Sequence, residues 1–430
     1  MPPRLPALLA DPPVGAQRLW LTDAKVFDGS ATLRDGAAVL VEDGRIARVG
    51  RSSEVAPEGA RTIDLAGRTL LPGLVDAHAH LYGQPPEPQH GAEPLWPGTR
   101  SQFLAADLRE TLRMGFTTVR DVGSYGDAVF EVRQAARYGA FRVPRILACG
   151  RILSATSPGG RFFEGMYVEL DGPDAMRRGV REQLRRGADF VKVMTTGARS
   201  VELEDPDPAQ LTREEMAAIV DEAHRLGYRV AAHAEGLPGT ELAVELGLDT
   251  IEHGMYLNQR PELLERMAAT GQVLVPTLSS FYAVAGLGDA IDPTPQGGPV
   301  GEWSPLLVDL ALYNLEQAGL TLRAARDAGV TIALGHDWHP LGNAAVELLR
   351  MIEHGLSARE ALVTATSGAA TALGLDDRIG SVEPGKLADL LVVDGDPLTE
   401  PEVLRDRGRI WLVLQLGEPV AGASFETTPA

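Results

Sequence analysis

The chain has 430 residues, 44% of them hydrophobic, with 59 acidic against 40 basic side chains and a net charge of −19 at pH 7. That length and apolar content argue against global disorder and suit a large α/β barrel with a small second domain. The acidic balance, without any basic run, argues against nucleic acid or an anionic membrane as partner, and a single cysteine, Cys149, excludes an intramolecular disulfide.

Residues 1–17 contain Pro2, Pro3, Pro6, Pro12 and Pro13 and no apolar core of signal-peptide length, so they read as a leader outside the folded domains. No run approaches the length of a membrane span, and a cytoplasmic protein is expected. Short strand-like runs follow: Leu19–Phe27, Ala38–Glu42, a hairpin turn at Asp43-Gly44, then Arg45–Gly50, Arg61–Leu65 and Arg68–Leu71. These form the first part of a β domain over residues 18–71.

From residue 72 the pattern alternates between strands and helices. Eight strands are expected: Leu74–His80, Phe116–Asp121, Arg145–Cys149, Phe190–Thr195, Val230–Ala234, Thr250–His253, Val273–Thr277 and Thr331–Gly335. Between them lie helices such as Asp174–Arg186, closed by Gly187, and two with capping-box starts, Thr212–Glu215 and Ser357–Glu360. Eight repeats predict a (β/α)8 TIM barrel over residues 72–376. Two long connections, Tyr82–Arg100 and Ser279–Pro305, are rich in Pro and Gly and fit the substrate walls or lids of a barrel's C-terminal face. Residues 377–430 return to β character in Gly380–Asp394 and Arg409–Leu414. They are expected to complete, with the N-terminal strands, a small discontinuous β-sandwich domain.

The chemistry gathers at the strand ends. Residues i and i+2 of a strand share a face, so His78 and His80 project together. Two imidazoles so placed can bind one metal ion. Strand four carries Lys192 between Val191 and Val193, strand five ends in His233, strand six in His253, and strand eight leads into Asp337. His233 or His253 alone could be a core histidine, and Asp337 alone a helix cap. Lys192 is different. Only three of the 40 basic residues are lysine, Lys25, Lys192 and Lys386, and this one sits where burial disfavours its charged form. A neutral amine can add carbon dioxide to give an anionic carbamate that bridges two metals, which a guanidinium cannot. Four histidines, a carboxylate and a carbamate would hold two divalent ions.

The set resembles the amidohydrolase superfamily. The resemblance rests on His-x-His after Leu71-Pro-Gly-Leu-Val-Asp-Ala77, on Gly187-Ala-Asp-Phe-Val-Lys192, on Ala232-His233, on Glu252-His253-Gly254, on Asp337, and on Pro384-Gly-Lys-Leu-Ala-Asp-Leu-Leu-Val-Val-Asp394. It spans roughly residues 18 to 420 and is nearest to the branch of Xaa-Pro and Xaa-Arg dipeptidases of prolidase type and ochratoxinase-like carboxypeptidases, a branch also called imidazolonepropionase-related. The resemblance implies two divalent ions, zinc first among them. His78, His80 and Asp337 would hold one ion, His233 and His253 the other, and N6-carboxylated Lys192 would bridge.

The implied reaction is hydrolysis of the amide bond of a dipeptide or N-acyl amino acid, including ochratoxin-type amides, by a metal-bridging hydroxide, with Asp337 passing the proton to the leaving amine. The expected partner is a small substrate with a free carboxylate, and the resemblance implies a homo-oligomer. Where the family often has Thr-Gly-Gly-His near the substrate carboxylate, this chain reads Ser154-Ala-Thr-Ser-Pro-Gly-Gly-Arg161, so Arg161 is a candidate carboxylate contact. The family's second histidine after the third ligand is replaced by Glu235. Tyr256 and His336 are further pocket candidates. Two other readings stay open: a mononuclear deaminase or imidazolone-type cyclic amide hydrolase with a structural Lys192, and a noncatalytic assembly protein on the same barrel.

Overall fold

The computed structural model describes residues 18–30, 33–83, 96, 98–201, 203–287, 304–337 and 341–426. The leader expected at residues 1–17 lies outside them, as do most of the two long connections. No helix among the described residues is long and apolar enough to cross a membrane.

Both ends of the chain build one sheet. Its N-terminal strands are β1 (Arg18–Phe27), β2 (Leu33–Glu42), β3 (Arg45–Arg51), β4 (Arg61–Asp64) and β5 (Thr69–Pro72). Its C-terminal strands are β16 (Leu390–Val393), β17 (Ile410–Gln415) and β18 (Glu418–Ala421). The order is β18-β17-β16-β5-β1-β2-β3, with β4 beside β1. All eight strands are thus hydrogen-bonded in a single mixed sheet, where two stacked sheets were expected. The join between the chain ends is the antiparallel β5–β16 ladder, with Leu70 opposite Val392. Leu21, Val26, Val39, Leu70, Leu390, Val392 and Leu414 form the sheet's own apolar core.

All eight expected central strands are present: β6 (Leu74–Ala79), β7 (Phe116–Asp121), β8 (Arg145–Ala148), β11 (Val191–Met194), β12 (Val230–Ala234), β13 (Thr250–His253), β14 (Val273–Val275) and β15 (Thr331–Ile332). Two short strands were not expected, β9 (Ile152–Ser154) and β10 (Tyr167–Glu169). Every pairing among these strands is parallel.

They do not form the single closed ladder expected of the barrel. They form a three-stranded sheet, β6-β7-β8, and a seven-stranded sheet, β10-β9-β11-β12-β13-β14-β15. One break has a local cause. Gly150 adopts a left-handed φ of 73° and ends β8, and the chain re-enters as β9 against β11. A single backbone bond, Asp189 N–H to Ala148 O at 2.8 Å, spans this seam. The other seam is spanned by Ala77 N–H to Leu334 O at 2.8 Å and Asp337 N–H to His78 O at 2.9 Å. Gly335 makes that approach possible, since a Cβ there would lie 2.5 Å from the Cβ of His78.

The helices start and stop where the sequence signals them. Thr212 and Ser357 each make both halves of a capping box, and Gly187 ends helix Pro173–Arg186 in the left-handed conformation. Residues of β6, β7, β11, β12 and β13 are buried throughout, as expected of parallel strands covered on both faces. The polar side chains on these strands are therefore exceptions that must find partners.

One buried carboxylate steadies the C-terminal end of the strands. Glu347, on helix Ala345–Glu353, accepts from the Leu278 amide at 2.8 Å, the Ser279 amide at 2.7 Å and the Ser279 hydroxyl at 2.6 Å. It thereby fixes the turn that follows β14. Glu347→Ala strands these donors and is expected to cost about 3 kcal/mol in urea denaturation. Burial also pushes the Glu347 pKa from 4.5 up to about 7. The folded state then keeps a proton that the unfolded chain releases, so this group's contribution to stability falls as pH rises across that window. Glu347→Gln is expected to lose that slope while retaining one acceptor, which denaturation at pH 5 and pH 7.5 would show.

Candidate metal centre

The parallel register brings the expected ligands to one end of the strands. Met194 of β11 lies opposite His233 of β12, and Ala234 lies opposite His253 of β13. His78 and His80 leave β6 on the same face. Asp337 follows β15 and is tied to β6 by its own amide. All six residues, His78, His80, Lys192, His233, His253 and Asp337, line one cavity of about 310 Å³.

Each imidazole is held by an outward contact. His78 Nδ1 is 2.7 Å from Glu252 Oε2, and His80 Nδ1 is 2.6 Å from the Gly123 carbonyl. Both partners are acceptors, so both Nδ1 atoms carry the proton. The Nε2 lone pairs then face inward. They meet the same atom: Asp337 Oδ1 lies 3.2 Å from His78 Nε2 and 3.3 Å from His80 Nε2. When both rings are neutral, three lone pairs converge here and repel, and a cation among them removes the repulsion. A tetrahedral ion with bonds of about 2.0–2.1 Å separates its ligands by about 3.3 Å. The donor set and its spacing therefore fit a divalent metal.

The second group is as close. His253 Nε2 lies 3.0 Å from His233 Nδ1, and again two ring nitrogens face each other. Their opposite nitrogens are occupied, His253 Nδ1 by the Thr277 hydroxyl at 2.7 Å and His233 Nε2 by the Gly197 carbonyl at 3.1 Å. Burial pulls the His253 pKa down to about 3 and that of His233 well below its usual value, so both rings are neutral and able to ligate at physiological pH.

Lys192 Nζ has no hydrogen-bond partner among the described residues, and the side chain is 2% exposed. Burial pushes its pKa down, so the amine is driven toward the neutral form.

Backbone strain marks the same place. His253, Thr277 and Asp337 adopt left-handed φ angles of 68°, 50° and 51°. Each such non-glycine residue costs roughly 1–2 kcal/mol. Two are expected ligands and the third holds one of them.

The other expected contacts fall elsewhere. Arg161 sits exposed on the short helix Pro158–Phe162 and does not line the cavity. Tyr256 is half-buried behind the wall, its hydroxyl donating to Asn314 Oδ1 at 2.7 Å. His336 is buried away from the cavity, with its amide 3.2 Å from Asp76 Oδ1. The described ends of the long connections do reach the wall, through Tyr82 on one side and Ser280 and Phe281 on the other.

Sequence reasoning missed the support beneath the ligands. Glu252 is fully buried on β13, and its Oε1 accepts from Arg120 Nη2 at 2.8 Å while Oε2 faces His78. Burial would raise the Glu252 pKa, yet Arg120 and its other neighbours hold it far below the usual range. The signal was present, because Arg120 and Glu252 are charges inside runs read as buried strands.

A sequence profile of the amidohydrolase family matches residues 69–420. Among curated relatives, an ochratoxinase from Aspergillus niger is 31% identical over 401 residues, covering 86% of this chain and 80% of the relative. Among solved structures, a Xaa-Pro dipeptidase with methionine bound in the active site is similar at a TM-score of 0.83 and 28% identity, covering 94% of this chain and 100% of that one. A prolidase complexed with N-methylphosphonate-L-proline is similar at a TM-score of 0.81 and 28% identity, with the same coverage.

The outward contacts should matter for metal affinity. Glu252→Gln weakens the hold on the His78 ring, and metal affinity measured by chelator competition is expected to fall about 10–100-fold. It also leaves Arg120 buried without its counter-charge, so the metal-free protein should lose about 3 kcal/mol of stability. Unchanged affinity would show that Glu252 serves Arg120 alone.

Proposed function

The chain belongs to the amidohydrolase family and is a hydrolase acting on C–N bonds; within that class we propose that it cleaves the amide bond of dipeptides or N-acyl amino acids, at a centre of two divalent ions bridged by N-carboxylated Lys192. Lys192 carries this reading. A sealed amine, unpaired and driven neutral, lines the same cavity as both ligand groups. Its nitrogen lone pair can add to carbon dioxide, forming an N–C bond and releasing one proton, to leave a carbamate whose single negative charge is shared by two oxygens. That product would give the site an anionic acceptor where the amine has no partner among the described residues.

His78, His80 and Asp337 would hold one ion and His233 and His253 the other. The nitrogen and oxygen donors suit zinc, and also manganese or cobalt. Ions bound here supply Lewis acidity at the scissile carbonyl and make water a nucleophile near neutral pH. The chain's own residues do the rest. Asp337 presents Oδ1 to the two imidazoles, while Oδ2 lies 4.0 Å from His253 Nδ1. Oδ2 would take a proton from the attacking water and return it to the departing amine. The cavity walls, among them Phe163, Met166, Met194 and Phe281, exclude bulk water and strengthen these electrostatics.

The substrate class is supported by the relatives. The similar dipeptidase holds methionine and the similar prolidase a phosphonate derivative of proline, both compounds of amino-acid type.

Metal analysis after metal-replete expression is expected to find two ions per chain. One ion would favour a mononuclear centre with a structural Lys192, and none would remove the metal reading. NMR after exchange with 13C-labelled bicarbonate should show a carbamate carbon that Lys192→Ala lacks. That variant should keep its far-UV circular dichroism and lose activity beyond the about 10–100-fold typical of an outer-shell change. Retained activity, or no carbamate signal in the parent enzyme, would eliminate the bridge.

A further inference from the structure

We propose that Arg199 is the substrate-carboxylate anchor of this cavity, and that the enzyme therefore selects substrates with a free carboxylate on the leaving amino acid. The choice of carboxylate rests on the amide-hydrolase reading above; the presence of an anion site does not.

Arg199 lies in the loop after β11 and lines the cavity that holds the ligand groups. Apart from the histidines, Lys192 and Arg199 are the only basic residues among the cavity's described lining. If Lys192 is a carbamate, Arg199 is the only fixed positive side chain left among the described lining. Its side chain is 10% exposed. Its Nε–H is buried and has no acceptor in hydrogen-bond geometry among the described residues. The nearest carboxylate oxygen, Glu235 Oε2, is 3.5 Å away and is already engaged by the Arg199 amide at 2.9 Å. A buried donor without an acceptor is costly, and an incoming carboxylate oxygen would remove the cost.

The guanidinium is also braced. One terminal nitrogen binds Asp207 Oδ1 at 2.5 Å, and Asp207 is 71% exposed, so solvent screens that pair. The plane lies over the Tyr256 ring at 5.3 Å, and the Tyr256 hydroxyl is pinned to Asn314, which is itself in the cavity wall. A planar fork held on an aromatic face is pre-organised for bidentate carboxylate binding. This assigns Tyr256 a positioning role behind the guanidinium. It also places the anion contact at residue 199, since Arg161 is exposed and outside the cavity. The surrounding wall is aromatic and aliphatic, including Phe162, Phe163, Tyr167 and Phe281, so the side chain beside the anchored carboxylate should be apolar.

The competing role is structural: Arg199 fixes its loop through Asp207 and Glu235. Matched probes separate the two. N-benzoyl-L-phenylalanine and its carboxamide differ only in the group Arg199 would bind. The metal-loaded enzyme is given both, and kcat, KM and calorimetric affinity are measured for the parent, R199Q and R199K. The parent should prefer the acid by about 10²-fold in kcat/KM. R199Q should bring the acid-to-amide ratio toward one, mainly by raising KM for the acid, and R199K should restore part of it. Equal losses on acid and amide in R199Q, or a parent enzyme indifferent to the carboxylate, would overturn the anchor and leave the amide-hydrolase reading standing. Acid binding that depends on Arg199, with no turnover of any dipeptide or N-acyl amino acid, would overturn the hydrolase reading and leave the anchor standing. Neither binding nor turnover of the acid would remove both. If R199Q is not recovered folded, the R199K-to-parent comparison alone decides, because a structural ion pair would not respond to the probe's charge.

Discussion

The centre depends on one arrangement: ring nitrogens that carry protons point outward to fixed acceptors, and lone pairs point inward to each other. Glu252 and the Gly123 carbonyl hold the protonated sides of His78 and His80. The inner lone pairs of His78 and His80 meet at Asp337 Oδ1. In a buried site this would be repulsive without positive charge at the focus. The outer partners thus do more than satisfy hydrogen bonds. They choose the tautomer, and the tautomer turns the Nε2 lone pairs of His78 and His80 toward the cavity.

The same logic explains why the outer layer is ionic. Arg120 and Glu252 are both almost fully buried, a placement that is unfavourable unless each charge is paired and its remaining atoms are satisfied. Arg120 meets this condition through Thr250 Oγ1, the Ala77 carbonyl and Glu252. The pair links β6, β7 and β13 beneath His78. Such pairs contribute little net stability, and their value here is positional, because a ring oriented by a fixed carboxylate needs no reorganisation when an ion arrives.

Much of this was legible in the sequence because parallel strands covered on both faces admit few polar residues. A histidine or lysine inside such a run stands out, and the six expected ligands do line one cavity. The eight central strands were legible for the same reason. What the sequence could not show was how the ladder is divided. The break at Gly150 depends on one left-handed residue and on Arg151 donating its amide to Gln183, a contact 32 positions away. Arg161 was chosen from a loop motif, but five residues of helix carry it to the surface. Arg199 was passed over because a loop arginine carries no periodic signal. Its significance appears only when Tyr256, Asn314 and Glu235 surround it.

Rigidity and variability are divided within the molecule accordingly. The ligands stand on buried strand ends, and their strained backbones persist because the surroundings over-determine them. Thr277 shows how: its φ of 50° is held by the turn that Glu347 anchors, and its hydroxyl in turn holds His253. A carboxylate on a helix after the last strand thereby reaches His253, an expected ligand on the sixth, through two hydrogen-bonded steps. The described cavity wall, by contrast, is drawn largely from connections after the first, third, fourth and seventh strands, through Tyr82, Phe163, Arg199 and Phe281. These positions carry no strand ladder, so they can change without disturbing the tautomers below. The chemistry is therefore set by the strands and the choice of substrate by the loops.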